Sequence, residues 1–389
     1  MPLAPNPVWA APPHLTLLAV LTQAPMSDAL DLVILDSGFP SSAVIYARCG
    51  SDVATARLPL DSADLRYLDS FRQRIERALY GEEAKPTSQE LEDFGHKLFE
   101  YLIHDDVRSL YNGLPKTHLR VLVLSDCAAI QAIPWEYFQE PGQSTALRSV
   151  VRVVKTIGVP APPSLDPISY IRVLFAYANP QDQETRVDWE GVRLSIEQTL
   201  RSHHGDRFTL DVINAVTRAA LIDAINAKDF DVFHFSGHGT VVGGVGRLIL
   251  DKGTSKSSYI TGPEMSDTLS QRGIRLVILS ACHGASGNFS DDFSVIAKTL
   301  VERGLPAVVA NQMPVYNSTM APFVGTLYVS LLRDGDLDRA VHRGRLAIKT
   351  NFDDDSLAPV KEANLDWGVP TLYRHISAAQ MFDFEKFKV

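Results

Sequence analysis

Cysteine is scarce in this sequence of 389 residues: Cys49, Cys127 and Cys282 are the three present, an odd number of widely spaced thiols. That excludes a disulfide framework and predicts free thiols in a reducing compartment, hence a cytoplasmic location. Long apolar runs are also missing. Leu15 to Leu21 is too short to span a bilayer and lacks the basic flank of a secretory signal, so it reads as a buried strand. Basic excess is absent too, with 37 Lys and Arg against 46 Asp and Glu and a formal net charge of −9. Nucleic acid and anionic membrane both call for clustered Lys and Arg, and neither is expected as a partner. No repeats or low-complexity tracts occur.

What remains is an ordinary globular composition, 45% apolar, long enough for two packed domains. The first part is strand-rich: Thr16 to Leu21, Leu32 to Leu35 and Ala43 to Ala47 are apolar runs broken by Pro, Asp and Gly. Helices are predicted over 62–79 and 88–101, the second opened by Thr87 or Ser88 with Glu90 behind it. Strands follow at 119–125 and 150–156. Prolines then concentrate in 159–168, fixing an extended backbone and marking a linker between an N-terminal unit, 1–158, and a C-terminal unit, 169–389. Beyond it, strands at 170–176, 208–213, 231–235, 276–279 and 307–311 alternate with helices near 188–203, 217–226, 263–271, 291–303 and 318–333. That rhythm belongs to a parallel sheet with crossover helices.

Two of those strands run into reactive residues: Phe233-His234-Phe235-Ser236-Gly237-His238-Gly239 and Ile278-Leu279-Ser280-Ala281-Cys282-His283-Gly284. Chemistry in parallel α/β sheets gathers beyond the carboxyl ends of the strands, which is where His238 and Cys282 are expected. A thiol with a pKa near 8.5 is only a few per cent thiolate at neutral pH, and an adjacent imidazole raises that fraction or takes the proton during attack. The backbone amides of Gly239 and Cys282 are candidate donors to the oxyanion of a tetrahedral intermediate. Spacing alone leaves the bland readings open, because a strand-end cysteine is often a small buried hydrophobe and a histidine after glycine is often a loop residue.

The two boxes in this order resemble the His and Cys boxes of the CHAT family of caspase-like proteins, kin of caspases, metacaspases and separase. Pro134-Trp135-Glu136, Gly304-Leu305-Pro306-Ala307-Val308-Val309-Ala310-Asn311-Gln312 and Trp367-Gly368-Val369-Pro370-Thr371-Leu372-Tyr373 extend the likeness over roughly residues 90 to 375. The resemblance implies an α/β fold, a caspase-like sheet with flanking helices in two halves, the first non-catalytic and pseudo-caspase-like and the second catalytic. It further implies a Cys–His dyad of Cys282 and His238, and a regulated endopeptidase that activates a partner protein by limited cleavage in bacterial defence or cell death. Gasdermin-like pore formers are among the partners associated with such proteases. With no repeat or sensor module in this sequence, any regulatory partner is expected to act in trans. Two rivals stand beside this reading: a catalytically silent caspase-like scaffold, and a thiol amidase of small substrates.

The neighbouring residues divide differently. Relatives that cleave after Arg or Lys often carry an acid two places before the cysteine, and Ser280 stands there. Asp291 and Asp292 could supply substrate contacts instead, although capping the following helix is their simpler role. No arginine in either box is placed for an acidic side chain, so a small or apolar residue before the scissile bond is expected. Zinc held by His234, His238, Cys282 and His203 or His204 is disfavoured because 231–235 reads as a strand, and no metal or cofactor is expected. Gly243, Gly244 and Gly246 read as a mobile loop rather than a phosphate cradle. Cys127 reads as a buried or loop thiol, and Trp135 as core filler.

Overall fold

The computed structural model describes residues 29–36, 39–114, 118–125, 127–142, 150–157, 166–183, 189–204, 207–253, 256–281, 292–313, 315, 317–352, 364–375, 378 and 381–384. The predicted strand at 16–21 and most of the Pro-rich 159–168 segment lie outside these.

The chain order is β1 (Leu30–Leu35), β2 (Val44–Cys49), β3 (Asp52–Arg57), α1 (Ser62–Leu79), α2 (Ser88–Leu102), α3 (Asp105–Gly113), β4 (His118–Leu124), α4 (Ala128–Ala132) and β5 (Val150–Ile157). After the Pro-rich segment come β6 (Ile171–Tyr177), α5 (Trp189–His204), β7 (Phe208–Ile213), α6 (Arg218–Ala227), β8 (Val232–Val242), β9 (Val245–Asp251), β10 (Ser257–Thr261) and α7 (Gly262–Leu269). The last part holds β11 (Leu276–Ala281), α8 (Asp292–Glu302), β12 (Ala307–Asn311), α9 (Asn317–Asp334), α10 (Leu337–Phe352) and β13 (Pro370–His375).

All thirteen described strands form one mixed sheet with helices packed against it. Its main path runs β10-β9-β8-β11-β12-β13-β5-β4-β1-β2-β3, with β6 pairing the first part of β8 and β7 pairing β6. The central strands are continuous Val, Ile and Leu runs, such as Leu276 to Leu279 and Ala307 to Ala310, buried on both faces as parallel strands require. Strand β13 closes the gap. It lies antiparallel to β12 and parallel to β5, so an element from near residue 370 joins the strands before the Pro-rich segment to those after it.

Local signals explain most helix starts. Asp61 with Asp64, Thr87 with Glu90 and Thr261 with Glu264 form reciprocal capping boxes at α1, α2 and α7. Helices α3 and α10 and strand β3 were not foreseen. Helix α10 begins two residues after Gly335, whose positive φ of 75° ends the preceding turn, and its first turn is tied by the Asp336 carboxylate accepting from the Arg339 amide at 2.9 Å. Trp135 is fully buried in the larger core and donates its indole N–H to the Ile130 carbonyl at 3.0 Å, while Cys127 is a buried free thiol. Among the described residues no helix is long and apolar enough to cross a membrane.

Candidate active site

Strands β8 and β11 are parallel neighbours in the register Leu276↔Val232 through Ala281↔Gly237. The last described residue before Cys282 therefore stands beside the residue before His238. Cys282 itself, with His283, Gly284 and Asp291, lies outside the described residues. Asp292 opens α8, but its side chain is not described.

The Ser-Gly-His-Gly box is not a turn beyond the strand, as the sequence suggested. Strand β8 runs on for 11 residues and changes partners at the box. Up to Gly237 it pairs with β11 and, to Ser236, with β6; from His238 onward it pairs antiparallel with β9, His238 opposite Ile249. The glycines serve close packing. A Cβ at Gly239 would sit 2.9 Å from the Phe293 ring of α8, and one at Gly237 2.5 Å from the Phe235 ring. The predicted mobile loop at Gly243 and Gly244 is instead a tight hairpin turn, with φ of 60° and 77° matching the two left-handed positions of a two-residue β-turn.

Side chains alternate along β8, so His234, Ser236 and His238 share one face. His238 is buried, 9% exposed, at the point where the ribbon of β8, β9 and β10 leaves the main sheet. His234 lies deeper. Its Nε2 is 2.7 Å from Ser280 Oγ and its Nδ1 3.3 Å from the Tyr328 hydroxyl on α9, and Phe175 packs against the ring in a T-shaped arrangement. Burial without a counter-charge pushes the His234 pKa down to about 3, so the ring is neutral. The same desolvation pushes the Tyr328 hydroxyl up and keeps it protonated. Ser280, read from sequence as a possible substrate contact, is fully buried in this layer with its hydroxyl engaged by His234. The period-2 alternation 280, 278, 276 against 236, 234, 232 was the available clue to that pairing.

His234 and His238 do lie on one face, since four residues are two full pleats, but they are roughly 13 Å apart at about 3.3 Å per residue. They cannot share an ion, and the described residues contain no group of three or more His, Cys, Asp or Glu placed to hold one.

On the other side, β12 pairs with β11 from Leu276↔Ala307 to Leu279↔Ala310. Just past its end, Gln312 donates to Glu136 Oε2 at 2.8 Å and to the Gly368 carbonyl at 2.9 Å, and accepts from Lys155 Nζ at 2.9 Å. Thr371 donates to Glu136 Oε1 at 2.9 Å, and Arg345 to the Glu136 carbonyl at 3.0 Å. The three motifs that stood apart in sequence, around Glu136, Gln312 and Thr371, thus meet in one buried network beside the box strands. Their individual hydrogen bonds were beyond sequence reasoning.

Against known proteins, the family model of the CHAT domain matches residues 92–376. No curated protein sequence matches the chain. Among solved structures it is similar to the Arg-specific cysteine proteinase gingipain R, at 13% identity over 82% of this chain and 76% of that one, TM-score 0.45. It is also similar to the Saccharomyces cerevisiae separase of a separase–securin complex, at 10% identity over 90% of this chain and 30% of that one, TM-score 0.44. A third likeness is to the Drosophila initiator caspase Dronc, at 12% identity over 58% of this chain and 95% of that one, TM-score 0.33.

Proposed function

We propose, since this chain belongs to the CHAT domain family, that it acts as a caspase-like cysteine endopeptidase with Cys282 as nucleophile and His238 as general base. The observation that carries the reading is the register of β8 and β11. Ala281 pairs with Gly237, so each reactive residue is the next one along from a paired position on neighbouring strands. Adjacent strands lie about 4.8 Å apart, a separation that one thiol and one imidazole side chain span.

In this mechanism His238 takes the thiol proton as the sulfur attacks the peptide carbonyl. The amides of Gly239 and Cys282 hold the resulting oxyanion, and His238 returns the proton to the departing amine. Water, deprotonated by the same imidazole, then hydrolyses the thioester and restores the thiol. The neutral His234–Ser280 pair below joins the two box strands without competing for the proton at working pH.

The finer parts of the reading are proposals as well. The N-terminal residues, 1–158, form a non-catalytic half and 169–389 the catalytic one. The protein works in the cytoplasm, its trigger is a regulatory partner in trans, and its substrate is a protein activated by limited cleavage, with a gasdermin-like pore former as the first candidate in a defence or cell-death setting. Ser280 and Asp292 remain candidates for shaping the substrate site, Ser280 from the buried side.

The test is incubation of wild type, Cys282→Ala and His238→Ala with proteins encoded nearby, mapping new termini by mass spectrometry. Cuts made by the wild type should vanish with Cys282→Ala, and His238→Ala should slow them by roughly 10²- to 10⁴-fold. Identical cuts from wild type and Cys282→Ala would sink the protease reading. Turnover of small amides with no protein cut would favour the amidase.

A further inference from the structure

The ribbon of β8, β9 and β10 has two unlike faces. Leu248, Leu250 and Ile260 point into the core under α7 and α8, and Gly239 faces Phe293 on that side. The opposite face carries His238, Thr240 and Val242 of β8, with Ile249, Arg247 and Val245 opposite them on β9, and Tyr259 opposite Ile249 on β10. Three of these are apolar and open to solvent: Val242 is 50% exposed, Val245 37% and Tyr259 46%. An apolar patch of this kind on the face of the candidate base marks a contact surface more than a solvated one.

Arg247 is the charge in the middle of that face. It stands opposite Thr240, two pairs beyond the His238–Ile249 pair and next on the same face, so its backbone is about 7–8 Å from that of His238, within reach of an arginine side chain. Its Nε is sealed from solvent and has no hydrogen-bond partner, and no carboxylate among the described residues lies within ion-pair distance of the guanidinium. Asp251 shares the face, but four strand residues away, about 13 Å. Its carboxylate accepts from the Asn179 amide at 3.2 Å. Arg247 as a whole is half-buried, and a guanidinium left without an ion pair in the free protein is a group that a ligand carboxylate can satisfy.

We infer that Arg247 receives an acidic side chain of the substrate on the leaving-group side of the scissile bond, with Val242, Val245 and Tyr259 taking apolar side chains around it. This rests on the protease reading. The general acid delivers its proton to the departing amine, so the leaving half of the peptide comes away over His238. In the strand order β11, β8, β9, β10, the ribbon lies on the far side of His238 from the strand that precedes Cys282. An extended peptide advances about 3.3 Å per residue, which sets the acidic residue within about three positions after the cut. Arg247 belongs to neither box, and only the hairpin register brings it to the face of His238.

The test is cleavage of a randomised peptide library by wild type, Arg247→Met, Arg247→Lys and Arg247→Glu, with unfolding temperatures measured alongside. Wild type should enrich Asp and Glu over Lys and Arg in the three positions after the cut by roughly tenfold. Arg247→Met, which keeps the aliphatic stem, should erase the enrichment, Arg247→Lys should retain part of it, and Arg247→Glu should reverse it. No acidic enrichment in wild type, or its persistence in Arg247→Met, overturns the inference. A second arm needs no turnover: anisotropy of a fluorescein-labelled peptide carrying Leu-Asp-Val, or Leu-Lys-Val, on Cys282→Ala with and without Arg247→Met. Loss of roughly tenfold in affinity for the acidic peptide alone upholds the site, and equal affinities overturn it. Arg247-dependent binding of the acidic peptide by a wild type that cuts nothing would overturn both the protease reading and the leaving-group placement, and would leave Arg247 as an acidic-peptide contact alone.

Discussion

Two buried polar clusters, one on each side of β13, are built on opposite principles. Across β1, β4, β5 and β13 the cluster is ionic. Arg120 binds Asp31 at 2.6 Å, Arg374 grips Asp338 through two bonds of 2.9 Å, and Arg152 reaches Asp336 at 2.9 Å, so the start of α10 is clamped over four strands. Burial alone would raise the Asp338 carboxyl, but Arg374, then Arg120 and Arg152, hold it below the ordinary range. Under the box strands the cluster is neutral: His234, Ser280, Tyr328 and Ser236, whose buried hydroxyl has no hydrogen-bond partner. Ion-paired side chains fix a scaffold even though one donor there, Arg152 Nε, is left unmatched, whereas the layer under the box strands carries no charge at all.

The contrast predicts different responses to substitution. The largest belongs to Asp338→Ala, which strands Arg374 at 2% exposure and should cost about 3–5 kcal/mol in chemical denaturation, with activity per folded molecule unchanged. Loss of activity without loss of stability there would erase the division of labour.

The next concerns pH. His234 has a folded pKa of about 3, below the unfolded 6.5, so the unfolded chain binds the extra proton between those values and acid favours unfolding. This contribution is intact above pH 6.5 and is lost as pH falls towards 3, at about 1.4 kcal/mol per pH unit. Denaturation of His234→Gln between pH 6.5 and 5 should therefore show a shallower decline than the wild type by about that slope, and equal slopes would mean that the ring is charged or wet. The smallest effect carries the opposite sign. Ser236→Ala removes an unmatched buried hydroxyl and should raise stability by about 1 kcal/mol; a drop of that size would show that the hydroxyl is paired in solution.

Much of the fold was legible because it is written locally. The helices at 62–79 and 88–102 follow from Asp61 and Thr87 caps with acids three residues on, and the buried strands from uninterrupted apolar runs. The box strand was harder. Gly237 and Gly239 look like strand breakers, and only the rings of Phe235 and Phe293 filling the space beside them explain why β8 continues through His238. Helix α10 was missed because its central residues include buried Arg345 and His342, which a periodicity reading takes for a polar stretch.

The sequence by itself determined the alternation of strands and helices, the order of the two boxes and the identity of the candidate dyad, since caps, apolar runs and motif residues act within a few positions of one another. Only the tertiary structure decided that β13 bridges the sheet, that Ser280 answers to His234, and that Arg247 stands on the face of His238. Those relations are set by strand register between segments far apart in the chain, where a shift of one residue turns every side chain to the other face.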